Sequence, residues 1–231
     1  MNFDSGMEKV LFDKELSHSY TDRPPRQVPG FEGLHRMMSM LLAERVPPDG
    51  RLLVLGAGGG LELRTLADAH PGWSFDGVDP SAQMLHIARQ TAGAHVGRIR
   101  FVEGYVEDAP GGPYDGATCL LTFHFIPREQ RLETLAQLHR RLKPGAPLVL
   151  AHISVPRDEP ERSTWLARHV AYSADRQSTP AALEGARQAM AERLTILAPE
   201  EEEAMLRQAG FSGVALFYAG LSFRGWVAYR S

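Results

Sequence analysis

Residues 52–79 constrain this chain more than any other stretch. Leu52-Leu53-Val54-Leu55 is a short apolar run, and Gly56-Ala57-Gly58-Gly59-Gly60 follows at once. A helical pattern then runs from Leu61 to Ala69, and a second apolar run, Trp73 to Val78, ends on Asp79. Apolar runs of this length suit strands buried on both faces. Glycines between strand and helix permit positive φ and let a ligand approach the backbone. The helix behind them offers unpaired N–H groups and the positive end of its dipole. A carboxylate at the tip of the next strand can accept hydrogen bonds from a ribose diol. Strand, glycine bend, helix, strand, acid is therefore a unit suited to an adenosine-containing cofactor.

Glycine spacing separates the cofactors. A dinucleotide fingerprint, G-x-G-x-x-G/A, needs a small residue at position 61 or 63, according to the frame. Both positions are leucine, so a nicotinamide dehydrogenase is disfavoured. The pattern present is G-x-G-x-G, carried by Gly56, Gly58 and Gly60. It resembles the first motif of class I S-adenosylmethionine (SAM)-dependent methyltransferases. Those enzymes usually place an acid two residues before the first glycine, where it helps order the loop around the cofactor's amino-acid end. This chain has Val54 there.

The totals fit one large domain with a cover: 231 residues, 43% hydrophobic, net charge −3. There is no global basic signal for nucleic acid, which is disfavoured as a partner but left open, since a local patch could exist. Cys119 is the single cysteine and cannot form an internal disulfide, which suits a reducing cytoplasm. The first residues lack the pattern of a signal peptide, and no apolar run reaches membrane-spanning length, so no membrane partner is expected.

Residues 1–46 read as an N-terminal helical cover. Around Arg23-Pro24-Pro25-Arg26 the chain is expected to be extended or turning. A helix follows with Phe31, Leu34, Met38, Leu41 and Leu42 on one face. After Asp79, Ser81 is a fair N-cap for another helix, with Met84, Leu85 and Ala88 inward. Residues 98–103, 114–121 and 147–153 read as further strands. Phe123-His124-Phe125-Ile126 continues past the fourth strand. Between that strand and the fifth lies a helix with Leu132, Leu135, Leu138, His139 and Leu142 on one face. Alternating strands and helices imply a parallel sheet with helices on both faces, whose ligands bind at the strands' carboxyl ends. Residues 156–209 break the alternation with three helical patterns, read as an inserted lid. Residues 214–229 read as a terminal hairpin turning at Ala219-Gly220. The expected fold is α/β and doubly wound, a mostly parallel seven-stranded sheet ending in an antiparallel hairpin, as in Rossmann-like methyltransferases.

Within class I enzymes the chain resembles the carboxy-SAM synthase branch associated with tRNA wobble-uridine modification. Its motifs are Val28-Pro29-Gly30-Phe31, Val102-Glu103-Gly104, Thr122-Phe123-His124-Phe125, Leu142-Lys143-Pro144-Gly145, Ala209-Gly210-Phe211 and Phe223-Arg224-Gly225-Trp226-Val227-Ala228. The resemblance implies cofactor contacts from Gly56, Ala57, Gly58, Gly60, Asp79, Pro80, Tyr105, Val106 and Leu120, with Asp79 on the ribose and the Val106 N–H facing the adenine. Tyr105 stands where the family often has an Asp for the adenine amino group, and Leu120 where the branch has an Asn. Arg187 is the nearest match to the arginine that holds the extra carboxylate of carboxy-SAM. With Val54, Tyr105 and Leu120 all departing, the chain reads as a relative using ordinary SAM. The expected activity is methyl transfer to a small or medium-sized acceptor. His124 is the candidate general base, and Tyr20, Trp165, Arg187, Tyr218 and Arg224 are candidates for the acceptor site. No histidine spacing suggests a metal. A carboxy-SAM synthase or tRNA-modification enzyme and a non-catalytic SAM- or partner-binding module are the alternatives. A homodimer is left open.

Overall fold

The computed structural model describes residues 23–175 and 177–231. Seven strands form one sheet: β1 (Arg51–Leu55), β2 (Ser74–Asp79), β3 (Ile99–Glu103), β4 (Gly116–Leu120), β5 (Pro147–Ile153), β6 (Phe211–Gly220) and β7 (Phe223–Arg230). Their order is β3-β2-β1-β4-β5-β7-β6. Pairs among β1 to β5 are parallel, whereas β7 runs antiparallel to both β5 and β6. This is the doubly wound sheet with a terminal hairpin that the alternation implied. Strand order reverses between β1 and β4, so the crevice at their carboxyl ends is where such a sheet takes a ligand.

The apolar runs fill both faces with period two. Leu52 and Val54 join one core body with Leu34, Met38, Leu63, Leu66 and Val149. Leu53 and Leu55 join the other, with Val78, Cys119, Leu135, Leu138 and Trp226. Each fully buried leucine contributes about 1.5–3 kcal/mol of transfer free energy, which holds the two helical layers to the sheet. Register at the start of β1 is pinned by polar contacts. Asp115 accepts the Arg51 N–H at 3.0 Å, and Asp76 pairs with the Arg51 guanidinium at 2.7 Å.

Eight helices are described: α1 (Arg23–Gln27), α2 (Phe31–Ala43), α3 (Leu61–Ala69), α4 (Ala82–Ala92), α5 (Arg128–Arg141), α6 (Glu161–Ser173), α7 (Pro180–Arg193) and α8 (Pro199–Gln208). Ser81 caps α4 as expected, accepting the Met84 N–H at 3.2 Å. Phe123–Phe125, expected as a loop past the end of β4, forms a 3₁₀ turn there. Three details differ from what the sequence implies. Pro24 and Pro25 lie in the first turn of a short helix, because proline's missing N–H would have no intrahelical partner there. The hairpin turns at Leu221 and Ser222, where the Ser222 carbonyl accepts the Ser154 N–H at 2.9 Å. The inward face of α5 carries Arg131 and Thr134 beside Leu135 and Leu138, while Leu132 is only half-buried.

Arg131 explains how the insertion is anchored. It is fully buried, and its guanidinium donates to Glu202 of α8, to the Thr195 carbonyl and, at 3.2 Å, to the Ile126 carbonyl. His152 of β5 lies 3.0 Å from the same Glu202 carboxylate. α8 packs on α5 and β6, so it belongs to the body of the domain. Only α6 and α7, which pack on each other, remain in the region expected to cover the strand ends, with α6 touching α1.

Candidate active site

The bend after β1 is built from backbone. Gly56 and Ala57 both donate to the Val78 carbonyl, at 2.8 and 2.9 Å, and Gly60 donates to the Ala57 carbonyl at 2.9 Å. Gly56, Gly58 and Gly60 stand at φ +76°, +47° and +81°, which accounts for the G-x-G-x-G spacing in conformational terms. Gly56 has a second reason to lack a side chain: a Cβ would sit 2.0 Å from the Thr122 hydroxyl oxygen.

Asp79 sits at the carboxyl tip of β2 and braces this bend. Its carboxylate accepts the Gly58 N–H at 2.8 Å through Oδ2 and the Ser81 N–H at 2.9 Å through Oδ1. The side chain thus ties the loop after β1 to the loop after β2. A carboxylate oxygen accepts more than one hydrogen bond, so bracing and ligand binding are compatible chemistry. Pro80 follows directly. The β3 loop lies alongside, since the Gly104 N–H donates to the Asp79 carbonyl at 3.1 Å. On that loop Tyr105 is 40% exposed and Val106 is buried.

An open cleft lies against the bend. Phe31 and His35 of α2 line one wall, the Gly56–Ala57 and Gly59–Gly60 backbone another, and Leu61 and Glu62 of α3 with Leu120 and Leu121 complete it. Of the expected cofactor residues, Gly56, Ala57, Gly60 and Leu120 line this cleft directly. Leu121 holds a left-handed backbone at φ +57°, with its N–H on the Ala151 carbonyl at 2.6 Å. A bulky residue in that region is uncommon, and such strain concentrates at functional edges.

Two polar side chains in this wall were not anticipated. Glu62 is 6% exposed, and its Oε1 has no hydrogen-bond partner. The Thr118 hydroxyl and the Leu120 backbone amide lie close to its carboxyl, yet the Thr118 hydroxyl is itself without a partner in bonding geometry. Burial pushes the Glu62 carboxyl up to about 7, against a smaller opposing pull from those neighbours. His35 Nδ1 lies 3.1 Å from the Thr65 hydroxyl, which donates its own proton to the Leu61 carbonyl at 2.9 Å. Thr65 must therefore accept from His35 Nδ1–H, which leaves Nε2 an unprotonated acceptor. Burial pulls the His35 imidazole down to about 4, so it is neutral at pH 7. Both residues carried a sequence signal. Glu62 shares an i, i+4 stripe with buried Leu66, and His35 lies one turn after Phe31.

His124 is placed differently from the expectation. It is buried outside the lining of the cleft, and its Nδ1 accepts the Ile153 N–H at 3.3 Å. That bond fixes the proton of the neutral ring on Nε2, so the remaining nitrogen is a donor, not a base. Burial first, then the nearby His152, Arg131 and His169, hold its pKa well below 6.5. In this geometry the neutral His124 ring has no free nitrogen to take a proton from an acceptor, contrary to the expected general-base role.

The acceptor-site candidates separate. Tyr218 donates its hydroxyl proton to the Pro29 carbonyl, and the Arg224 guanidinium carbon lies 5.6 Å from the Trp165 ring centroid. Trp165, Tyr218 and Arg224 thus gather where the β6–β7 hairpin meets the N-terminal cover. Arg187 does not join them. Glu184 holds its guanidinium at 2.6 and 2.9 Å on the surface of α7. Tyr20 lies outside the described residues.

The residues present fit an adenosyl sulfonium. Phe31, Leu61, Leu120 and Leu121 offer apolar surface for its uncharged parts, and an unpaired buried carboxylate faces a ligand with two cationic centres.

A methyltransferase-domain family model matches residues 53–148 of the chain. Over nearly its whole length the chain is similar to carboxy-S-adenosyl-L-methionine synthases. It is 26% identical to that of Chromohalobacter salexigens, over 99% of this chain and 87% of the relative. It is 25% identical to that of Actinobacillus succinogenes, over 99% and 98%. Among solved structures, phosphoethanolamine N-methyltransferase 2 of Haemonchus contortus in complex with SAM aligns with a TM-score of 0.71 at 13% identity. That alignment covers 100% of this chain and 60% of the other.

Proposed function

We propose that this chain, a class I SAM-dependent methyltransferase similar to the carboxy-SAM synthases, methylates a small or medium-sized molecule. The observation that carries the reading is the cleft at the reversal of strand order, walled by the glycine bend on one side and Leu120 and Leu121 on the other. In this reading Asp79 takes the ribose hydroxyls, while Gly56, Ala57, Gly58 and Gly60 present backbone to the cofactor. Pro80, Tyr105, Val106 and Leu120 flank the adenosine. The sulfonium, when bound, supplies an electrophilic methyl. The protein's own task is to align the acceptor for in-line displacement and exclude water, and much of the rate can come from that positioning. A base is required only where the acceptor must lose a proton.

In the same reading α6 and α7 cover the cleft, and Trp165, Tyr218 and Arg224 shape the acceptor's entry. An aromatic ring beside a guanidinium suits a planar or anionic acceptor. A cytoplasmic setting agrees with one buried cysteine. The full-length similarity to carboxy-SAM synthases keeps that synthesis as a second reading, but Arg187, expected to hold the extra carboxylate, pairs with Glu184 on the surface of α7 and does not line the cleft. Mass spectrometry of the purified protein distinguishes the two through copurifying SAM or its carboxylated form. Calorimetry with SAM followed by methyl-transfer assays on candidate acceptors tests the main reading. Absence of SAM binding overturns it.

A further inference from the structure

Val54, two residues before the first glycine, is fully buried in the core and brings no charge to the bend. Its register partner across the β1–β4 ladder is Thr118. In a parallel pair, residues in register project to the same face. The hydroxyl of Thr118 is buried and without a partner, and the carboxyl of Glu62 lies beside it. Glu62 reaches this place from the first turn of α3, directly behind the glycine bend. A carboxylate has therefore been delivered to the floor beneath residue 54 by a different element.

A buried carboxylate with an unpaired oxygen is costly unless it is protonated or meets a cation. Among the described residues, none forms an ion pair with Glu62. The titratable groups packed around it are His35, which lines the same cleft, and Cys119 on β4. His35 is neutral at pH 7, and burial together with Glu62 keeps the Cys119 thiol protonated. No neighbouring charge of the protein answers the carboxylate, so the cation is left to the ligand.

We infer that Glu62 receives the α-ammonium group of the cofactor's amino-acid end. The assignment rests on the SAM reading above and deepens it. The apolar Leu120 and Leu121 wall takes the thioether side, and the carboxylate under the bend takes the ammonium. In the cofactor-free protein the carboxyl holds a proton over part of the neutral range. Binding of the ammonium displaces that proton, so affinity for ligands with the amino-acid end is linked to pH.

The test compares three ligands on the full chain by calorimetry: SAM, S-adenosylhomocysteine and 5′-methylthioadenosine. The second keeps the ammonium and lacks the sulfonium, and the third lacks both. Glu62→Gln is expected to weaken SAM and S-adenosylhomocysteine alike, by roughly 10- to 100-fold, the range of a hydrogen bond to a charged group. Binding of 5′-methylthioadenosine is expected to stay unchanged. Equal weakening of all three would mean that Glu62 only orders the loop, and weakening of SAM alone would assign it to the sulfonium. Either overturns the inference. A second arm needs no variant. In the wild-type chain, S-adenosylhomocysteine affinity should rise about tenfold from pH 6 to pH 8 as the carboxyl ionises near 7, with 5′-methylthioadenosine flat. Equal pH profiles for the two ligands overturn the inference even if the variant fails to fold. Failure of the wild type to bind any of the three removes the SAM reading itself, an outcome distinct from the others.

Discussion

Glu62→Gln should make the cofactor-free protein more stable in alkaline solution than in acid, relative to wild type. The carboxyl is raised from an ordinary 4.5 to about 7 by burial in the folded chain. A group raised on folding contributes stability while it is protonated in both states, below about 4.5, and that contribution is lost as pH rises through the folded value. The full difference is about 3 kcal/mol, at about 1.36 kcal/mol per pH unit. Between pH 5 and pH 8 about 2.5 kcal/mol of it should disappear from the wild type. Glutamine cannot ionise and keeps the shape, so the variant lacks this slope. For a chain of this size, about 2–4 °C of melting temperature accompanies each kcal/mol. The gap between the two melting curves should therefore widen by about 5–10 °C in the variant's favour from pH 5 to pH 8. Differential scanning calorimetry across that range measures it. Other titrations, His35 among them, occur in both proteins and cancel in the difference. Parallel melting-temperature profiles would refute the claim that this carboxylate is buried and unpaired.

Other residues make separate claims. Asp79→Ala removes the acceptor for two backbone N–H groups and the proposed ribose partner. Calorimetry should show SAM affinity reduced by about 1.5–3 kcal/mol, and unchanged affinity would reject the ribose assignment. Glu202→Ala leaves Arg131 buried without its counter-charge, and denaturant unfolding should show a loss of about 3–5 kcal/mol. A loss under 1 kcal/mol would mean that α8 is not anchored by this pair. His35, pulled from 6.5 to about 4, contributes stability that is present above 6.5 and lost as pH falls toward 4. A His35→Phe variant should lack this acid-side loss in melting experiments; an unaltered acid limb would show the ring to be solvated.

Much of the architecture was legible because local pattern reports burial. Leu52 to Leu55 is apolar at every position, and both of its faces are covered. The three inserted helices were visible from their periodicity, whereas the weaker boundaries were not. Pro24-Pro25 reads as a break in any window, yet a first helical turn accepts both. Arg131 gave no sign of burial, since an arginine among leucines is solvated in most helices. It goes inside here because Glu202, far along the chain, supplies its counter-charge.

The site divides in the same way. By itself the sequence determined the bend, the acid that follows β2 and hence the class of cofactor, because left-handed backbone needs glycine and a parallel sheet opens at its carboxyl edge. Only the tertiary structure decided which polar groups are satisfied. His124 looked like a base until Ile153 was seen to occupy its Nδ1, and Arg187 looked available until Glu184 was seen to hold it. Glu62, in the first turn of α3, is buried with one carboxylate oxygen unpaired, which nothing in its own segment announces. Burial can be read from the spacing of neighbours in the chain. A hydrogen-bond or charge partner comes from remote segments, and whether it arrives is settled when the chain packs.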